Sequence, residues 1–186
     1  SEISMNLSLF YFLNHLASSL PWIDSPVIFF GKHLPYILVL FIGVYIFVHH
    51  DRRRGTYEAV AILFSAVLAW GFVYLFKHFY FEPRPFEVLQ DVVLLFPHAA
   101  DAAFPSGHAT FFAALAAAMF LYHKRLGVFL AVCAFLIGVS RVIAGVHWPI
   151  DILAGFLIGG FLGWVIASFC SRYLKKHFDN GALPLA

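Results

Sequence analysis

The sequence predicts an all-α, polytopic membrane bundle, and three observations carry that prediction. Apolar residues make up 62% of the chain and charged residues only 12%, against about 45–50% and about 25% in a soluble domain. Five apolar segments reach the roughly 20 residues needed to cross a bilayer. They fall near 27–48, 57–76, 105–123, 126–146 and 149–171. The basic residues collect in loops that all fall on one side when the spans are counted.

The elements follow in order. Segment 4–20 carries Asn14 and His15, and either spans as the shortest helix or lies at the interface as an amphipathic one. Leu-Pro-Trp-Ile-Asp-Ser-Pro at 20–26 reads as a turn with an interfacial Trp22. Pro35 sits inside the first strong span, where a kink is expected. The loop His49-His50-Asp51-Arg52-Arg53-Arg54 leads to the second span, and a long loop, 77–104, to the third. His123-Lys124-Arg125 joins the third and fourth spans, a short turn at 144–149 the fourth and fifth, and Arg172, Lys175 and Lys176 follow. The positive-inside rule makes the basic loops cytoplasmic. Lys77, Arg84, Ser106, Arg141 and His147 then gather at the opposite, extracytoplasmic level. Gly155, Gly159 and Gly163 form a small-residue stripe expected to pack against another helix of the same chain. One domain is expected over 1–186, with no repeat or linker.

Several function classes are set aside at this level. A net charge of +2 is too small to suggest a nucleic-acid partner. Cys133 and Cys170 lie in apolar runs and read as small apolar side chains, and no C-x-x-C or H-E-x-x-H pattern points to a metal. The first residues carry no Lys or Arg and end in no small-residue cleavage site, so no secretory signal peptide is expected.

Three polar clusters interrupt the apolar background: Lys77 to Pro85, Pro105-Ser106-Gly107-His108, and Ser140 to Asp151. Ionisable groups at membrane depth are costly to desolvate, so they are candidates for function. In the last cluster Pro149 suits the first position of a helix. Asp151 is then placed to accept a hydrogen bond from His147 Nδ1 and leave Nε2 as acceptor or nucleophile. The ordinary alternative is an Asp151 that stabilises a helix N-terminus beside an interfacial His147. In the middle cluster Ser106 is an expected N-cap, and Gly107 lets a ligand approach the free N–H groups of a helix start. His108 beside it is a candidate proton donor, though the same four residues also suit a plain capped start. Lys77, Arg84 between two prolines, and Arg141 add three cations, of kinds suited to phosphate. Lys77 alone also suits snorkelling to the headgroups. Glu82, Glu87, Asp91, His98 and Asp101 read as solvated or lid residues of the long loop. His15, His33, His49, His50, His123 and His177 show no paired carboxylate at useful spacing.

Together the clusters resemble the type 2 phosphatidic acid phosphatase superfamily, whose pattern is K-x6-R-P, P-S-G-H and S-R-x5-H-x3-D. Every specified position is matched, in order and spacing, by Lys77 to Pro85, Pro105 to His108 and Ser140 to Asp151. The resemblance covers roughly 57 to 171 and implies a helical core like that of acid phosphatases and vanadium haloperoxidases, in its membrane branch. It implies that His147 is a nucleophile forming a phosphohistidine, that Asp151 orients it, and that His108 protonates the leaving group. Lys77, Arg84, Arg141, Ser106 and the Gly107 amide would hold the phosphoryl oxygens. No metal or other cofactor is implied.

A narrower stretch, Phe81 to Phe86 followed by Phe96 to Ser106, is similar to bacterial undecaprenyl-diphosphatases of the bacitracin-resistance type. In some of those the third residue of the middle motif is Asp, where this chain has Gly107. The expected activity is hydrolysis of undecaprenyl diphosphate to the monophosphate and phosphate, which recycles the lipid carrier of cell-wall synthesis. Phosphatidylglycerol phosphate, phosphatidic acid and lipid A 1-phosphate are alternative substrates. A lipid transporter without hydrolysis would spread its polar groups through membrane depth. The expected partners are a lipid phosphate and the bilayer, in a bacterial inner membrane, with the oligomeric state open.

Overall fold

A computed structural model describes residues 2–17, 19–48 and 52–179, leaving aside the side chains at 2, 3, 46, 47, 52–54 and 174–179. The described residues are helical and contain no strand. The order is α1 (Glu2–Asn14), α2 (Pro21–Ile28), a π-helical turn (Phe29–His33), α3 (Leu34–Val48), α4 (Arg52–Phe79), α5 (Pro85–Val88), α6 (Gly107–Tyr122), α7 (Lys124–Ile143) and α8 (Pro149–Asp179).

Four helical stretches among the described residues are long and apolar enough to cross a membrane: Pro21–Tyr45, Gly55–Phe79, Lys124–Ile143 and Pro149–Tyr173. The expected count of five strong spans is therefore not reproduced. The segment read as 105–123 is α6, with 16 residues, about 24 Å at 1.5 Å per residue. Pro105 and Ser106 fall outside its start, and His123 caps its end. Most of it is buried inside the bundle. Phe112, Leu115 and Met119 are buried against Ile62 and Ala66 of α4 and Leu130 and Ile137 of α7.

The 20–26 stretch is also different from its expectation. It opens α2 with Pro21 in the first turn rather than forming a turn, because a missing N–H costs nothing there. Trp22 is exposed, as an interfacial residue would be. The expected kink at Pro35 takes the form of the π-helical turn that ends two residues before it.

α1 has 13 described residues, fewer than the roughly 20 of a typical span. It packs across the site end of the bundle. Phe10 is fully buried, 5.2 Å between ring centroids from Trp148. Fully buried Asn14 donates to the carbonyls of Val93 and Ile143, both at 2.9 Å, and accepts from Val93 N–H at 3.0 Å. One side chain thus ties α1, the long loop and the end of α7 together.

The glycine stripe behaves as expected. A Cβ at Gly159 would stand 2.2 Å from the Thr110 carbonyl oxygen, and one at Gly163 2.4 Å from that of Ala114. The stripe is what lets α8 lie directly on α6, and this contact carries the start of α6 to the start of α8. At the other end, His123 does have a carboxylate partner: Nε2 lies 3.1 Å from Glu58 Oε2 and 2.9 Å from Tyr45 Oη. Sequence spacing missed it because Glu58 comes from α4. Cys133 is buried in the apolar core, as expected. Of the expected basic loops, residues 49–51 lie outside the described residues, as do the side chains of Arg52, Arg53, Arg54, Lys175, Lys176 and His177.

Replacing Gly159 by Ala should destabilise the bundle by about 1–3 kcal/mol, the usual range for overpacking. Gly160→Ala should be tolerated, since a Cβ there meets nothing within 4 Å. Thermal unfolding of both variants in detergent checks the contrast; equal melting temperatures would remove the close α6–α8 contact as its basis.

Candidate active site

The site begins with how α7 ends. Gly145 takes φ +79°, a region that favours glycine. Its N–H donates to the Val142 carbonyl and the Val146 N–H to that of Arg141, the pattern of a Schellman motif. This reversal sends the chain back toward the bundle over five residues, so that Arg141 and His147 bracket one turn. A Cβ at Gly145 would also strike Val92 and the Val93 carbonyl at 2.6 and 2.7 Å, so the long loop is seated on the turn.

Helix α8 starts at once with Pro149, and its first-turn carboxylate turns back. Asp151 Oδ2 accepts from Trp148 N–H at 2.9 Å and lies 3.1 Å from His147 Nδ1. On the other side of the ring, Arg84 Nη1 lies 3.1 Å from Nε2. A guanidinium only donates, so Nε2 holds the lone pair and Nδ1 carries the proton that Asp151 receives. This is the tautomer the sequence anticipates. His147 is 1% exposed and Asp151 fully buried. Burial, then the positive charges of Arg84, Arg141, Lys77 and His98, hold His147 well below the usual imidazole pKa. It is therefore a neutral imidazole at pH 7.

Arg84 is the hub of the site, 2% exposed. Pro83 and Pro85 flank it, and its own N–H donates to Glu87 Oε2 at 2.8 Å. Its side chain donates to the Val146 carbonyl at 2.6 Å, and through Nε and Nη2 to Asp101 Oδ1 at 2.9 and 2.7 Å. Asp101 and Glu87, read from the sequence as solvated loop residues, thus hold a catalytic candidate in place. Asp101 remains largely exposed, at 60%. Burial raises its pKa, but the Arg84 hydrogen bond and charge outweigh that and leave it below the usual carboxylate value. His98 also joins the site: its ring centroid is 6.2 Å from that of His147. Burial, followed by the charges of Arg84 and Arg141, depresses its pKa. The signal for both residues was available in the 96–106 stretch that carries the narrower resemblance.

The other candidates converge on this hub by different routes. Lys77 donates to the Ala102 carbonyl at 2.6 Å rather than snorkelling outward, and Arg84 Nη2 approaches the same oxygen at 3.5 Å. Ser106 is the N-cap of α6, its Oγ accepting from Ala109 N–H at 3.4 Å. The Ser106 N–H donates to the Asp151 carbonyl at 3.0 Å, which joins the second cluster to the third. Trp148 Nε1 donates to the Pro83 carbonyl at 3.0 Å and joins the third to the first. Gly107 opens α6, with His108 next, half-buried and without a hydrogen-bond partner among the described residues. Arg141 is 3% exposed and donates through Nη1 to the Gly31 carbonyl at 3.1 Å. Arg141 Nε and Asp151 Oδ1 are buried without a partner among the described residues.

The chemistry follows from this arrangement. Lys77, Arg84 and Arg141 face Asp101 and Asp151 in a poorly solvated recess, so the balance favours an added anion. A neutral imidazole lone pair lies within it, beside the positive end of α6. Among the described residues no group of three or more His, Cys, Asp or Glu side chains is arranged to hold a metal ion. A cavity of about 400 Å³ opens against Asp151, walled by Asn6 and Leu7 of α1, Tyr80, Phe104, Trp148 and Ile150. A larger apolar cavity of about 680 Å³, between α6, α7 and α8, contains none of the site residues.

Known proteins resemble this chain over most of its length. The family model described as the PAP2 superfamily matches residues 58–175. The undecaprenyl-diphosphatase BcrC of Bacillus subtilis (strain 168) is 32% identical over 178 residues, covering 94% of this chain and 89% of that protein. A lipid A 1-phosphatase of Rhizobium etli is 34% identical over 122 residues, covering 63% of this chain and 51% of that protein. The crystal structure of LpxE from Aquifex aeolicus superposes with a TM-score of 0.73 at 30% identity, covering 88% of this chain and 95% of that one. The chain belongs to the PAP2 superfamily and is a membrane lipid phosphatase of that family.

Proposed function

We propose that the protein hydrolyses undecaprenyl diphosphate to undecaprenyl phosphate and inorganic phosphate, through a phosphohistidine on His147. The observation that carries this reading is His147 held between Asp151 and Arg84, with its Nε2 lone pair in a cationic recess. The choice of lipid is supported by the match to the Bacillus subtilis undecaprenyl-diphosphatase over nearly the whole of both chains.

The steps use groups already placed. The terminal phosphoryl group enters between Lys77, Arg84 and Arg141, with the Ser106–Gly107 start of α6 as a further set of donors. Arg84 Nη1 passes from Nε2 to a phosphoryl oxygen, which releases the lone pair. Nε2 attacks phosphorus, the P–O bond to the lipid monophosphate breaks, and His108 supplies a proton to the departing oxygen. Asp151 stabilises the imidazole as it becomes cationic. Water then attacks phosphorus, His108 takes its proton, and the P–N bond breaks to regenerate His147. Positioning and electrostatic stabilisation supply the catalysis.

The site works at the extracytoplasmic face of a bacterial plasma membrane. Support comes from topology: α6 starts at the site and ends at His123-Lys124-Arg125, so these basic residues lie at the far end of the bundle. We read α6 as a fifth, short crossing, sheltered from lipid, within a single domain over 1–186 and a core of the haloperoxidase type. The 400 Å³ cavity beside Asp151 then admits the headgroup from the bilayer while the tail stays in lipid. A second reading replaces the substrate by lipid A 1-phosphate, on the similarity to the Rhizobium etli enzyme.

His147→Ala should lower phosphate release at least about a thousandfold while the protein stays folded. Brief exposure of the parent to substrate labelled in its terminal phosphate should leave acid-labile, alkali-stable label on the protein; turnover without such label would remove the covalent step. Full activity should persist in excess EDTA, checked by phosphate release. A panel of undecaprenyl diphosphate, lipid A 1-phosphate and phosphatidylglycerol phosphate in detergent should rank the first highest by kcat/KM.

Acid pH should destabilise the fold through His147. Its folded pKa lies well below 6.5, so the unfolded chain takes up a proton there that the folded protein refuses, and stability present above that pH is lost as pH falls. The melting temperature should therefore drop more steeply from pH 7 to pH 5 in the parent than in His147→Gln.

A further inference from the structure

We infer that Gly31 and Pro35, in the first long helical stretch, are positioning residues for the Arg141 guanidinium, and so part of the phosphate-holding machinery. The inference rests on the phosphate-binding role proposed for Arg141.

It starts from a missing donor. In an α-helix the carbonyl of residue 31 accepts from the N–H of residue 35. Residue 35 is proline, which has no N–H. The backbone there departs from α geometry into the π-helical turn Phe29–His33, with the Leu34 N–H reaching the Phe29 carbonyl. The Gly31 carbonyl, deprived of its α-helical donor, accepts instead from Arg141 Nη1 at 3.1 Å, in a buried bond between residues 110 apart in sequence. Single-turn π distortions of this kind commonly occur at functional sites.

Glycine at position 31 makes the approach possible. The residue is buried, and a Cβ would stand 3.2 Å from Phe96 Cε1, Phe96 Cζ and Ser140 Oγ. The Phe96 ring lies 5.9 Å from Arg141 Cζ, within cation–π range. The guanidinium is thus fixed by one carbonyl and one ring, while Nε is buried with no partner among the described residues. Because the guanidinium is planar, fixing one edge fixes the direction of the others.

The nature of the anchor matters. A carboxylate would have held Arg141 equally well but would have cancelled its charge. A carbonyl satisfies the buried N–H and leaves the full positive charge for an incoming anion. Arg84 is held in the opposite way, with two donors on Asp101. The helix carrying Gly31 and Pro35 also lies outside the 58–175 stretch that matches the family model.

The test is the affinity of purified protein in detergent for orthovanadate, a mimic of the phosphoryl group in flight. Pro35→Ala restores an N–H that competes for the Gly31 carbonyl. It should weaken vanadate binding about tenfold, the scale of one hydrogen bond to a charged group, without lowering the melting temperature. Pro26→Ala, the same change in the same helical stretch, should leave binding unaltered. In an Arg141→Ala background, Pro35→Ala should cost nothing further. The proposal is overturned if Pro35→Ala leaves binding intact, if both proline variants weaken it equally, or if the Pro35→Ala loss persists undiminished without Arg141. If Arg141→Ala by itself leaves vanadate binding unchanged, the phosphate-binding role of Arg141 falls first, and the positioning proposal with it.

Discussion

A guanidinium buried at the end of an apolar bundle must be met by acceptors, and much of this structure follows from meeting two of them. Arg84 and Arg141 are each almost wholly withdrawn from solvent. Leaving such donors unpaired costs far more than a typical hydrogen bond returns. Arg84 therefore gathers the Val146 carbonyl, the Asp101 carboxylate and His147 Nε2 around itself. Those partners come from the long loop and the turn after α7, so satisfying one side chain fixes the relative placement of two otherwise independent segments. Arg141 does the same for α7 and the first long helical stretch, through Gly31.

The requirement shapes the helices as well. Bringing the start of α6 to Asp151 needs α6 and α8 to touch, and the Gly155, Gly159 and Gly163 stripe removes the side chains that would hold them apart. The Ser106 N–H can then reach the Asp151 carbonyl. With α4, α7 and α8 around it, most of α6 is buried in protein. The same close packing withdraws Arg84, His147 and Asp151 from solvent, which strengthens the electrostatic contacts among them.

The legible and illegible parts of the sequence divide along physical lines. His147 and Asp151 were readable because both contacts are local: four residues apart, at a helix start announced by Pro149. Ser106 and Gly107 were readable for the same reason, as a cap and first turn. The length of α6 was misjudged because hydropathy reports apolar composition and cannot separate a helix buried in protein from one buried in lipid. The 20–26 stretch misled because a proline reads as a breaker but is welcome in the first turn of a helix, where Pro21 stands. Asp101, His98, Glu58 and Asn14 have partners up to 129 residues away. No spacing rule reaches that far.

By itself the sequence determined that the chain is a helical membrane protein carrying three polar motifs of the PAP2 pattern. Composition, span parity and three motifs are all properties of order along the chain. Only the tertiary structure decided which acceptors the buried cations use and how the long loop enters the site. Those outcomes depend on which carbonyls and carboxylates are left without donors once the helices have packed, and Pro35 freeing the carbonyl of Gly31 for Arg141 is the clearest case.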